Sequence, residues 1–128
     1  HIEITVDSLP PCLGDSVQIN QVFSNLIDNA IKYRHPAKEL KINISSEKKK
    51  KYIIYCIKDN GIGIDPDHHQ KIFEIFHQLN PASPKRGEGL GLTIIRRILD
   101  RHDGSIHVKS QINEGSSFYI RLPSIKDR

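Results

Sequence analysis

Asn25 and Asn29 stand one helical turn apart in the segment NLIDNAIKY, and Lys32 follows on the same side of the helix. Asparagine is a poor helix-interior residue because its amide competes for backbone hydrogen bonds, so two of them in an apolar helix call for an explanation. A side-chain carbonyl can give Mg²⁺ a hard oxygen ligand while water and nucleotide phosphates supply the rest, and an ammonium one turn on can meet a phosphate. The alternative is a solvated helix flank. Two glycine clusters downstream offer complementary chemistry. In Asp59-Asn60-Gly61-Ile62-Gly63 a carboxylate sits beside two residues without Cβ atoms. Such a carboxylate can accept a hydrogen bond from an exocyclic amine such as that of adenine, and the glycines allow a bound group close to the backbone. Asp-Asn-Gly is also an ordinary turn. Gly87-Glu88-Gly89-Leu90-Gly91-Leu92 runs from a loop into a helix, where exposed amides and the helix dipole favour phosphate. No Lys-Ser or Lys-Thr pair follows and the spacing is GxGxG, so this is neither a Walker A loop nor a dinucleotide fingerprint. A glycine-rich hinge without a ligand also fits this segment. Together the three segments point to an ATP site.

The elements that must position these residues can be read from periodicity. Ile2 to Val6 alternates like a strand, and LPPCLGD connects it to a helix with Asp15 as N-cap. Ile19, Val22, Phe23, Leu26, Ile27, Ala30 and Ile31 then recur at three- and four-residue spacing until about Lys32, before the Tyr33-Arg34-His35-Pro36 break. At roughly 100° per residue, Asn25, Asn29 and Lys32 fall within about 60° of one another and border the apolar stripe. Leu40 to Ser45 and Tyr52 to Lys58 read as neighbouring strands across the lysine-rich turn, with Ile42, Ile44, Ile54 and Cys56 at alternating positions. Asp65-Pro66-Asp67 opens a short helix carrying Ile72, Phe73, Ile75 and Phe76, and residues 77–89 form a long loop without periodicity. Leu90 to His102 is helical, Asp103-Gly104 ends it, and Ile106 to Lys109 pairs with Phe118 to Leu122 around INEGS.

With 128 residues, 37% of them apolar, and no apolar run long enough to span a bilayer, one soluble domain with a real core is expected over residues 1–128. No membrane contact by this domain is expected. Cys12 and Cys56 belong to no CxxC pattern, which argues against a disulfide framework or zinc site and fits a reducing cytoplasm. The net charge is +4, but the basic residues are dispersed apart from Lys48 to Lys51, which reads as a solvated turn. No aromatic interleaving supports nucleic-acid binding.

In this order the segments resemble the catalytic, ATP-binding domain of sensor histidine kinases, within the superfamily that includes gyrase and the heat-shock chaperone and mismatch-repair ATPases. NLIDNAIKY is similar to that family's N box, DNGIG to its first glycine box, KIFEIF to its F box, GEGLGL to its second glycine box and EGSSF to a degenerate final one. The resemblance implies a two-layer α/β sandwich, the Bergerat ATP-binding fold, in which a mixed sheet backs about three helices and a long lid covers the nucleotide. It implies Asn29 as the Mg²⁺ ligand, Asn25 beside the phosphates, Lys32 on phosphate and Tyr33 near the adenine. Asp59 would recognise the adenine amine, with Gly61, Gly63 and Ile64 giving the base close access. Gly87, Gly89 and Gly91, with Leu90 and Leu92, would form the end of the lid, Phe73 and Phe76 would anchor its other end, and Lys85 and Arg86 would meet the γ-phosphate on closure.

Hydrolytic relatives carry a glutamate at the place of Asn25. An asparagine cannot act as a carboxylate base, so the resemblance implies phosphoryl transfer rather than hydrolysis, with Asn25 and Lys32 as the catalytic pair. The acceptor in such kinases is a histidine on a separate helical dimerisation domain of the same full-length kinase, followed by an acid and then by Arg or Lys and Pro. None of the seven histidines fits. His102-Asp103 comes nearest but is followed by Gly104-Ser105 at a helix end, where a charged imidazole suits the dipole. The chain is thus expected to be a monomeric fragment that binds ATP and Mg²⁺ and does not autophosphorylate without its helical partner, with a response regulator acting downstream. A nucleotide-dependent regulatory module and a stand-alone ATPase are the alternatives.

Overall fold

The computed structural model describes residues 2–64 and 88–125, with the backbone alone for 88–91. The elements run β1 (Ile2–Val6), α1 (Ser16–Lys32), β2 (Leu40–Lys48), β3 (Tyr52–Asp59), α2 (Glu88–Arg101), β4 (Ser105–Gln111) and β5 (Gly115–Pro123). They form a two-layer α/β sandwich. The sheet has the order β1-β2-β3-β5-β4, with β1 parallel to β2 and the remaining pairs antiparallel. Among the described residues two helices cover one face. The helix expected after Asp65, and residues 77–87 of the expected loop, lie outside the described residues.

α1 begins where its sequence supplies a cap. Asp15 Oδ1 accepts hydrogen bonds from the Val17 and Gln18 amides at 2.9 and 3.0 Å, satisfying two donors that the first turn leaves without partners. Val22, Leu26 and Ala30 then point into the core, where they join Ile95 and Leu99 of α2 and Ile53, Ile57, Ile120 and Leu122 of the central strands. α2 starts at Glu88, two residues earlier than its apolar pattern indicates, so Gly89 belongs to its first turn instead of the loop before it.

The core-facing residues of β3 are Ile53, Tyr55 and Ile57, whereas the alternating Ile54 and Cys56 are half-buried between them. A central strand apolar on both faces carries no period-2 signal to choose between them. Tyr55 enters the core because its hydroxyl donates to the Pro10 carbonyl at 2.6 Å and its ring meets Phe23 edge-on at 5.5 Å. Cys12 and Cys56 are free thiols. Among the described residues, no helix is long and apolar enough to cross a membrane.

Candidate functional site

The C-terminal end of α1, the end of β3, the start of α2 and the start of β5 converge around a recess of about 370 Å³ including its open mouth. Asn29, Ala30 and Tyr33 form one wall, Asp59, Gly63 and Ile64 a second, and Leu92, Ser116 and Phe118 close the rest. Apolar side chains dominate, so the few polar groups set its chemistry.

Asp59 is the last residue of β3 and stands opposite Ser116 in the ladder. Its Oδ1 accepts from the Gly61 amide at 2.9 Å and the Ser116 amide at 3.3 Å, which fixes the carboxyl plane. Among the described residues Oδ2 takes no hydrogen bond. Burial holds the carboxyl above its ordinary range, and the Gly61 and Ser116 amides oppose that shift. A desolvated carboxylate with one oxygen to spare is a strong acceptor for an N–H donor in the recess.

Asn29 is only 8% exposed, yet among the described residues its side-chain amide has no partner. Buried amides are normally hydrogen-bonded, so an open one on a recess wall is a place for a ligand or a hydrated cation. Its main-chain oxygen accepts from the Tyr33 amide, and the Tyr33 carbonyl accepts from Ile62, which docks the glycine loop onto the end of α1. On the other side the Ile62 carbonyl accepts from Asn113 in the β4–β5 turn. The glycines of this loop are required by protein backbone on both sides. A Cβ on Gly61 would lie 2.6 Å from the Tyr33 oxygen, and one on Gly63, which has φ of 77°, would lie 2.0 Å from the Gln111 oxygen. Asn60 clamps the loop to the start of β2, bonding the Glu39 carbonyl and the Lys41 amide.

Of the residues singled out in the sequence, Asn29, Tyr33, Asp59, Gly63, Ile64 and Leu92 line the recess, and Gly61 braces Asp59 behind it. Asn25 and Lys32 lie on α1 outside the lining, half-buried and exposed respectively. Gly89, Leu90 and Gly91 are in the first turns of α2. Lys85, Arg86, Gly87, Phe73 and Phe76 lie outside the described residues. Sequence reasoning missed Ala30, Ser116 and Phe118. Ser116 could have been found from the hairpin, because pairing β5 with β3 sets it opposite Asp59.

The family model described as histidine kinase-, DNA gyrase B- and HSP90-like ATPase matches residues 14–126. The chain is 40% identical over 121 residues to phytochrome-like protein Cph1 of Synechocystis sp., covering 94% of this chain and 16% of that protein. It is 43% identical over 111 residues to sensor protein SrrB of Staphylococcus aureus, covering 85% of this chain and 19% of that one. The chain therefore spans less than a fifth of the length of these relatives. Among solved structures, the mycobacterial sensor histidine kinase MprB superposes with a TM-score of 0.78 at 28% identity, covering 95% of this chain and 82% of that one. Full-length ShkA, solved in complex with AMPPNP, gives 0.79 at 27% identity, covering 99% of this chain and 27% of that one.

Proposed function

The chain belongs to the histidine kinase-, DNA gyrase B- and HSP90-like ATPase family, and we propose that it holds ATP with Mg²⁺ in the recess and passes the γ-phosphate to a histidine on a separate helical domain of the same kinase. The observation that carries this reading is the spare Asp59 oxygen in a mostly apolar recess that is also lined by the Asn29 amide, which has no partner among the described residues.

Asp59 accepts an N–H of the adenine amine, and Ile64, Leu92 and Phe118 enclose the base. Tyr33 packs at its edge. Asn29 Oδ1 is the oxygen offered to Mg²⁺, which when bound neutralises phosphate charge. The donor fits that ion: the buried Asn29 amide, without a partner among the described residues, offers a hard oxygen, and phosphate and water would supply the remaining ligands. Asn25 and Lys32, one turn either side of Asn29, extend toward the phosphates, and Lys32 supplies positive charge. Asn25 offers no carboxylate to activate water, which favours transfer to an external nucleophile over hydrolysis. Lys85, Arg86 and Gly87, with the amides of Gly89 and Gly91 at the start of α2, would face the phosphates. The setting is a reducing cytoplasm, with a response regulator downstream.

The test is a calorimetric titration of a non-hydrolysable ATP analogue, with and without Mg²⁺, into the wild-type chain and Asp59→Ala. Saturable wild-type binding that the substitution weakens at least tenfold supports the reading, since a hydrogen bond to a charged group contributes about 1.5–3 kcal/mol. Wild-type affinity in the variant sinks it. The transfer step is then tested by supplying a histidine-bearing helical domain and following label from γ-phosphate to protein.

A further inference from the structure

Among the described residues the Ser110 hydroxyl has three hydrogen-bonding neighbours. The Ile64 amide donates to Ser110 Oγ at 2.7 Å. The Gly115 carbonyl lies 2.9 Å from the same oxygen and can only accept, so the single Ser110 proton goes there. Ser116 Oγ lies 2.7 Å away. Ser110 has no proton left for it, so Ser116 must donate. The Ser116 hydroxyl proton is thereby directed at Ser110, and only lone pairs remain to face the recess that Ser116 lines beside Asp59. Ser110 and Ser116 are also cross-strand partners, so the β4–β5 ladder holds them in register.

We infer that Ser110 is a positioning residue that fixes the Ser116 hydroxyl as an acceptor, so that the recess wall beside Asp59 offers acceptors only and selects a 6-amino purine over a 6-oxo purine. This rests on the adenine-nucleotide reading above and adds the source of its base selectivity. An amino group has two N–H bonds and can satisfy both Asp59 Oδ2 and Ser116 Oγ. A 6-oxo group would face lone pairs on both sides, and each unmatched polar atom taken from water opposes binding. Without the Ser110 oxygen, Ser116 is free to turn its proton into the recess and donate to a 6-oxo group.

The experiment is a calorimetric titration of ATP and ITP, both with Mg²⁺, into wild type, Ser110→Ala, Ser116→Ala and the double variant. Ser110→Ala should lower the preference for ATP over ITP by roughly three- to tenfold, the range a single hydrogen bond supports. In the Ser116→Ala background the same change should leave the preference unaltered, which a merely structural role for Ser110 would not produce. Ser110→Thr, which keeps the hydroxyl, should retain the wild-type ratio. If Ser110→Ala does not fold, Ser110→Cys takes its place and must lower the ratio, because a thiol is a weak partner. An unchanged ratio in Ser110→Ala, or an equal change with and without the Ser116 hydroxyl, overturns the Ser110 role alone. A wild type that binds neither nucleotide overturns the adenine reading and the selection with it.

Discussion

The Asp15 amide donates to Nε2 of His102 at 3.0 Å, joining the N-cap of α1 to the C-terminal end of α2. Nδ1 of the same ring lies 2.8 Å from the Ile98 carbonyl, which can only accept, so the proton sits on Nδ1 and Nε2 is the acceptor. His102 thus bridges the two helix ends through hydrogen bonds on both ring nitrogens.

Removing that bridge should destabilise the fold without touching the recess. His102→Ala should cost about 1–2 kcal/mol in urea unfolding, since it leaves the Asp15 amide and the Ile98 carbonyl without this partner. Gly14→Ala should cost a similar amount, because its Cβ would lie 2.8 Å from His102 Cδ2 and 3.0 Å from Ile19 Cγ1. In the His102→Ala background the Gly14→Ala cost should shrink. Equal costs in both backgrounds would show that the two residues do not act on one another.

Tyr55→Phe tests how a polar tip is tolerated in the core. The variant keeps the edge-on contact with Phe23 but leaves the Pro10 carbonyl without its donor. A loss of about 1 kcal/mol is expected, read as a lower urea midpoint at unchanged slope. No change in midpoint would mean that water replaces the hydroxyl at no cost.

Much of this architecture is legible in the chain because its local signals agree. Asp15 caps a helix whose apolar period holds from Ile19 to Ile31, and INEGS separates two short alternating runs that pair. The register of β3 is not legible, since Ile53, Ile54, Tyr55, Cys56 and Ile57 are apolar or aromatic without a break, and burial is decided by what packs above and below. At the site, Asn29 stands out because an asparagine in an apolar helix conflicts with local preference, and Asp59 because it opens a glycine cluster at a strand end. Ser116 and Ser110 do not stand out. Serines in a hairpin are ordinary, and their role exists only once β4 and β5 bring them within 2.7 Å.

Asn29→Ala should separate folding from function. It removes a buried amide that has no partner among the described residues, so the ligand-free domain should change stability by less than about 1 kcal/mol despite the lost volume. The gain in analogue affinity on adding Mg²⁺ should disappear. A variant that keeps the full Mg²⁺-dependent gain would remove Asn29 from the metal site.

Asp59→Asn should exchange binding for stability. Burial raises the Asp59 carboxyl above its unfolded value, outweighing the Gly61 and Ser116 amides. A raised carboxyl means that the folded state binds the proton more tightly than the unfolded state. Its contribution is fully present below the unfolded pKa and is lost as pH rises through the folded one, so the ionised group weakens the ligand-free fold at neutral pH. Asparagine keeps an oxygen for the two amides and carries no charge. The variant should unfold at a higher temperature than wild type at pH 7, with the gap closing as pH falls below the ordinary carboxylate range. Its affinity for the ATP analogue should fall, because a neutral amide oxygen is a weaker acceptor for the adenine amine. Wild-type affinity should decline on acidification as Asp59 takes up its proton, and the variant should lack that decline. A pH-independent stability gap would show that ionisation of Asp59 is not what opposes folding.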